Sequence, residues 1–208
     1  MSLLGYGEDA LTLWLVSERL QFLLEQLGEE MVEPAPKVLY KPSFGRAGGQ
    51  DSAQFGEFDF LIIGNDALYL GESKWDNLRD GPALFAELAP EQLLRHRIFK
   101  AYVTAWYQWN GAVWADFCPT CLQVFEAMDI VKPVAPDGSL LAQNLMTVLA
   151  FISQRFEEIP QIEDVFVYFY RAGLSYPPEF APNGFGLVTA DYSEATDDNF
   201  IELDIGVM

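Results

Sequence analysis

The chain has 208 residues, half of them hydrophobic, and a formal net charge of −19. That length and apolar content suit one domain with a sizeable core, and two cysteines are too few for a disulfide framework. No apolar run reaches the ~18 residues of a membrane span, and the N-terminus lacks the basic stretch, apolar core and cleavage site of a secretory signal, so a cytoplasmic protein with no membrane partner is expected.

The acidity is unevenly placed. Residues 37–100 hold eight bases against nine acids, residues 1–36 one base and seven acids, and residues 101–208 three bases and fifteen acids. The acidic remainder reads as a solvated surface. Phosphate binding wants Lys and Arg, so weak binding to nonspecific duplex DNA is expected.

Met1-Ser2-Leu3 reads as a cloning remnant. Residues 8–31 predict a long amphipathic helix, with Leu11, Trp14, Leu15, Phe22, Leu23 and Leu27 at helical spacing. Gly28, Pro34 and Pro36 end it. Val38 to Phe44 is a candidate strand, and the Gly-rich stretch Gly45 to Gln54 a loop. Phe55 to Ile63 and Ala67 to Trp75 predict two strands joined by a tight turn at Gly64-Asn65-Asp66. After a loop rich in Asp, Asn and Gly, Pro90 opens a helix running to about Asn110. Helices are expected near 117–128 and 139–157, and strands at Asp164 to Tyr170, Phe185 to Thr189 and Phe200 to Ile205. This order predicts a mixed α/β or α+β fold.

The strand pair carries the chemistry. With Asn65-Asp66 as the loop, Asp59 faces Glu72 and Glu57 faces Lys74, all on one face, because opposed residues share a side of the sheet. Leu61, Ile63, Leu68 and Leu70 continue that face, and Phe58, Phe60, Ile62, Tyr69 and Trp75 occupy the other. Two apolar faces mark a central hairpin covered on both sides. Opposed β-carbons lie about 5 Å apart, so the carboxylates repel, and burying them uncompensated is costly. A divalent cation is one efficient compensation, since hard cations such as Mg²⁺ favour oxygen ligands. Lys74 supplies a second positive charge. Alternatively, Lys74 simply pairs Glu57 and Asp59 at a solvated hairpin end. Glu18 falls within the apolar stripe of the first helix and needs a partner, which the hairpin cluster would supply. Glu25, beside Gln21 and Glu29, reads as solvated.

Gly56-Glu57-Phe58-Asp59 followed by Glu72-Ser73-Lys74 resembles the motif of the PD-(D/E)XK nuclease superfamily, an acid, a turn, then acid-x-lysine. Phe58 stands where the family name has proline, and the C-terminal half holds no second matching motif. The resemblance covers about residues 8–110. It implies a restriction-endonuclease-like central mixed sheet flanked by helices, with a core at 8–110 plus the strand near 164–170. A helical and strand-bearing C-terminal extension completes one domain over 1–208. It further implies Mg²⁺ (or Mn²⁺) held by Asp59, Glu72 and Glu18, with Glu57 as a further ligand or a partner of Lys74. Lys74 would position the attacking water. Gln92 matches a glutamine found in some branches and would contact substrate. Read from the residues alone, His96 beside Arg95 and Arg97 forms a basic helix face, either a solvated surface or, through Arg95 and His96, a phosphate-contacting patch. The implied partner is nucleic acid, DNA ahead of RNA, and a homodimer is a candidate assembly. The alternative is a module of the same fold that binds without turnover.

Other constellations carry less. Cys118-Pro119-Thr120-Cys121 is a lone CxxC, and His96 the sole histidine, so a zinc site would be incomplete. The aromatics Tyr102, Trp106, Tyr107, Trp109 and Trp114 wrap around a helix, which favours packing over base stacking.

Overall fold

The computed structural model describes residues 2–46, 49–75, 87–109, 111, 113–195 and 200–204. Most of the loop expected after Trp75 and the helix end at Asn110 lie outside them. A five-stranded mixed sheet in the order β2(Lys37–Tyr40), β5(Phe60–Ile63), β6(Ala67–Trp75), β7(Gln161–Tyr170), β8(Gly186–Asp191) forms the centre. The β2–β5–β6 side is antiparallel and the β6–β7–β8 side parallel. Two small ladders join it, β3(Ser43–Phe44) with β4(Gly56–Glu57), and β1(Ser2–Tyr6) with β9(Phe200–Asp204). Ser2 and Leu3 are thus part of a strand.

Helices cover both faces. On one, α3(Pro90–Gln108), α4(Trp114–Ala127) and α5(Leu140–Arg155) pack over Leu61, Ile63, Leu68 and Leu70. On the other, α1(Gly7–Glu18) and α2(Leu20–Gln26) cover Phe60, Ile62, Tyr69, Val165 and Val167. No helix among the described residues is long and apolar enough to cross a membrane. The single long helix expected over 8–31 is divided at Arg19, whose φ is −120°. The hydrogen-bond chain continues across the break, from Arg19 N–H to the Leu15 carbonyl and from Leu23 N–H to the Arg19 carbonyl.

The hairpin register is as expected, with Phe60 opposite Gly71 and Ile63 opposite Leu68. Its turn is held by a residue that sequence reasoning placed among solvated neighbours. Glu29 is 3% exposed. Its carboxylate accepts the N–H groups of Asn65, Asp66 and Ala67 at 2.9–3.1 Å and the Tyr69 hydroxyl at 3.1 Å. A β-carbon at Gly64 would collide with that carboxylate.

Regular pairing stops at Phe60. The bonded rungs alternate, so after Gly64–Ala67 the series would reach Phe58 and Ser73. Instead Phe58 N–H turns to the Pro42 carbonyl, and Gly56–Glu57 pairs with Ser43–Phe44. Three expectations are corrected by this break. The ladder ends before the expected pair of Asp59 with Glu72, and Asp59 N–H instead bonds the Gly71 carbonyl. Phe58 joins the cluster containing Leu61 rather than that of Phe60, and Glu57 faces Ser43 rather than Lys74.

Candidate active site

The strand break opens a cleft of about 430 Å³. Its lining includes Glu8, Glu57, Asp59 and Glu72, with Arg46, Lys74, Gln92 and Arg95. Asp59 comes from the bend just before β5 and Glu72 from β6, Gln92 and Arg95 from the first turns of α3, and Glu8 from the first turn of α1.

Asp59 fills the missing rung. Its Oδ2 accepts Ser73 N–H at 2.8 Å. Burial pushes its carboxyl up to about 6. The Ser73 bond opposes that rise, the charges of Glu72 and Glu8 add to it, and Lys41 opposes it. Lys41 Nζ stands 3.9 Å from Asp59 Oδ1, 3.5 Å from Glu57 and 2.6 Å from Asp9. Lys41 has φ +48°, uncommon for a non-glycine residue, and its N–H bonds the Asp59 carbonyl. Burial lowers its affinity for a proton, but Asp9 first and then Asp59 and Glu57 outweigh this and raise it. Lys41 thus takes the pairing role expected for Lys74. No spacing signal in the sequence singles it out, since the β2–β5 ladder, with Tyr40 opposite Phe60, is what sets it beside Asp59.

Lys74 lies nearest Glu8, at 3.7 Å, with its side chain 37% exposed in the cleft. The other oxygen of Glu8 accepts Trp75 N–H at 3.1 Å. Glu8 was not singled out in the sequence. The expectation placed Glu18 here, and that is corrected: Glu18 is exposed and accepts Asp204 N–H at 2.8 Å. The apolar stripe of α1 ends at the Arg19 break, so its last turn is free to face β9, while its first turn delivers a glutamate to the cleft.

Glu72 is 1% exposed and fully engaged. Oε2 accepts from Gln92 Nε2 at 2.6 Å, and Oε1 from Arg95 Nη1 at 2.8 Å. His96 Nε2 lies 3.1 Å from Oε1, while its Nδ1 is 2.8 Å from Asp164 Oδ1. Lys100 completes the chain at 2.6 Å from Asp164 Oδ2. Burial pushes the Asp164 carboxyl up, but the bonds from His96 and Lys100 and their charges outweigh it and hold it below the usual range. Gln92 is oriented by its other end, which accepts Ala89 N–H at 3.0 Å in the first turn of α3. The expected substrate-contacting role of His96 is corrected, because the ring is 2% exposed and sits between Phe58 and Phe185. Gln92 and Arg95 line the cleft, yet both spend a donor on Glu72.

The donor chemistry fits a hard divalent cation at Asp59. Every anionic ligand in the cleft is a carboxylate oxygen, and Asp59 Oδ1 has Lys41 as its cationic neighbour at 3.9 Å, outside hydrogen-bond distance. At Glu72 a cation must displace a donor. Among the described residues no three His, Cys, Asp or Glu side chains are grouped as a ready metal site.

The other motifs are absorbed by packing. Cys121 is buried in the helical core, where burial pushes its thiol up, and both cysteines are free. Tyr102, Trp106, Trp109 and Trp114 pack with Phe117. No protein-family model matches the chain, and neither a curated protein nor a solved structure matches it.

Proposed function

We propose that the cleft hydrolyses phosphodiester bonds of nucleic acid with the help of Mg²⁺ or Mn²⁺, as the PD-(D/E)XK resemblance implies. The observation that carries this reading is Asp59, a half-buried carboxylate tied to Ser73 N–H, lining one cleft with Glu72, Glu8 and the open Lys74. Four carboxylates and three cationic side chains line the cleft. A divalent cation reverses that balance, to the sign an anionic backbone requires.

Asp59 and Glu72 would hold the cation, with Glu8 in the place expected for Glu18. Once bound, it supplies Lewis-acid polarisation and lowers the pKa of water. Lys74 orients the attacking water and offsets negative charge growing on the phosphate. Gln92 fixes the Glu72 carboxylate. Arg46, exposed on the loop after β3 and lining the cleft, would meet a backbone phosphate.

A second reading, a non-hydrolytic binding module, is favoured by the saturation of Glu72 by three partners. Incubation with single-stranded, duplex and branched DNA and with RNA, with Mg²⁺, with Mn²⁺ or with chelator, separates the two. The nuclease reading expects Mg²⁺-dependent fragments that Lys74→Ala abolishes. No cleavage of any substrate with either metal overturns it in favour of the module.

A further inference from the structure

The carboxylate most central to the proposed chemistry is already neutralised by a side chain of its own protein. Arg95 Nη1 bonds Glu72 Oε1 at 2.8 Å, and the same nitrogen bonds the Glu57 carbonyl. The guanidinium is therefore wedged between the strand carrying Glu57 and the strand carrying Glu72. The backbone makes room for it: Gly56 has φ +107°, and a β-carbon there would stand 3.0 Å from Arg95 Nε. Yet the fit is incomplete. Arg95 is 12% exposed on its side chain, and its buried Nε has no hydrogen-bond partner among the described residues. A buried donor left unpaired is costly, so this lodging of Arg95 is stabilised chiefly through Glu72 and the Glu57 carbonyl. Arg95 also lines the cleft, one helical turn from Gln92. Release from Glu72 would leave the fork beside the cleft that Arg95 already lines.

Resting on the nuclease reading, we propose that Arg95 and the divalent cation are alternative neutralisers of Glu72: the cation displaces the guanidinium, which then turns its planar donor fork to a phosphate of the nucleic acid. Two features support this. A cation and a guanidinium on one buried oxygen pair repel, so both cannot hold Glu72 at full strength. The freed fork has the geometry that pairs bidentately with phosphate, and the unpaired Nε is the donor that completes it. Cation entry and substrate binding are thereby coupled. Gln92 and His96 keep Glu72 in place during the exchange, Gln92 by its bond to Ala89 N–H and His96 by its contact with Asp164.

The test is calorimetric titration of Mn²⁺ into the full-length protein, into Arg95→Ala and into Arg46→Ala. Arg46 lines the same cleft and serves as a control for general charge removal. The proposal expects Arg95→Ala to bind Mn²⁺ at least tenfold more tightly than the parent, and Arg46→Ala to change less than threefold. Equal gains in both variants reduce the effect to long-range charge and overturn the exchange. Unchanged or weaker binding in Arg95→Ala, with binding intact in the parent, overturns the exchange but leaves the nuclease reading standing. No binding in any of the three overturns both. Should Arg95→Ala fail to fold, the parent protein decides. The Arg95 Nε–H signal, assigned in ¹H–¹⁵N spectra against Arg95→Lys, is expected to shift and exchange faster at saturating Mg²⁺. A signal unmoved by Mg²⁺ overturns the proposal.

Discussion

Asp59 accepts the main-chain N–H of Ser73 at 2.8 Å and so occupies the place of a strand rung. One carboxylate oxygen thereby joins the sheet, while the other borders the cleft beside Glu72 and Glu8. The same bond explains how an acid can sit at the edge of a core, since a charge-assisted hydrogen bond recovers part of its desolvation cost.

The consequence for pH follows in sign. The folded carboxyl is raised above its ordinary 3.8 to about 6. Its favourable contribution is full below about 4 and is lost as pH rises to about 6. In chelator at pH 7.5 the ionised group costs about 1–3 kcal/mol, taking ~1.4 kcal/mol per pKa unit as an upper scale. Asp59→Asn keeps an oxygen for Ser73 and removes the charge. It is expected to be more stable than the parent at pH 7.5 by that amount, with the difference shrinking toward pH 4. Urea melts at both pH values check this, and an identical pH slope in the two proteins contradicts it.

Asp164 has the opposite sign. Despite burial, His96 and Lys100 hold its carboxyl below the usual range. Its stabilisation is present above its ordinary pKa and is lost as pH falls through the lowered one. Asp164→Asn is expected to cost about 1–3 kcal/mol at pH 7, a difference that fades in strong acid. Denaturant melts at pH 7 and pH 2.5 measure it. A cost that persists undiminished in acid contradicts the assignment.

Glu29 is the keystone of the β5–β6 turn. Glu29→Ala leaves three backbone donors and a tyrosine hydroxyl without their acceptor. A loss of about 3 kcal/mol is expected, each unsatisfied buried donor costing on the order of 1 kcal/mol or more. Faster hydrogen exchange at Asn65 to Ala67 should accompany it. Unchanged exchange there contradicts the role.

The two glutamates of α1 are expected to behave differently. Glu18→Ala removes one exposed contact to Asp204 N–H, so it should change stability by less than about 1 kcal/mol and leave cation affinity alone. Glu8→Gln, which keeps the bond from Trp75 N–H, should weaken Mn²⁺ binding about tenfold, the scale seen when a metal site loses a supporting contact. Calorimetry on both variants reads the contrast directly. Weakening by Glu18→Ala with none from Glu8→Gln reverses it.

Much of the architecture was legible because it rests on local pattern. The Gly64-Asn65-Asp66 turn and alternating apolar residues set the β5–β6 register, and Pro90 marks the start of α3. Asp59 and Glu72 do share one cleft, although the ladder ends one residue short of the pairing expected for them. What escaped depends on where the pattern stops. Nothing local announces that Phe58 abandons the ladder for the Pro42 carbonyl, so the facing of Glu57 and Lys74 was extended too far. The helix period made Glu18 a core residue, but its packing is decided by the break at Arg19 and by β9, remote in sequence. Lys41 and Glu29 act through partners 16 to 40 residues away. His96 looked like part of a basic surface because Arg95 and Arg97 flank it. In space it is turned inward, and Arg97 instead reaches the Met128 carbonyl.

The central claim is that the cleft binds a divalent cation through Asp59. The most direct measurement is melting temperature at pH 7.5 as Mg²⁺ is raised, for the parent and for Asp59→Asn. Binding to the folded chain adds about 2.7 kcal/mol at a hundred times Kd, so the parent's melting temperature is expected to climb by several degrees with the logarithm of concentration, and that of Asp59→Asn to stay flat. A parent that shows no rise, or a variant that rises equally, contradicts the account.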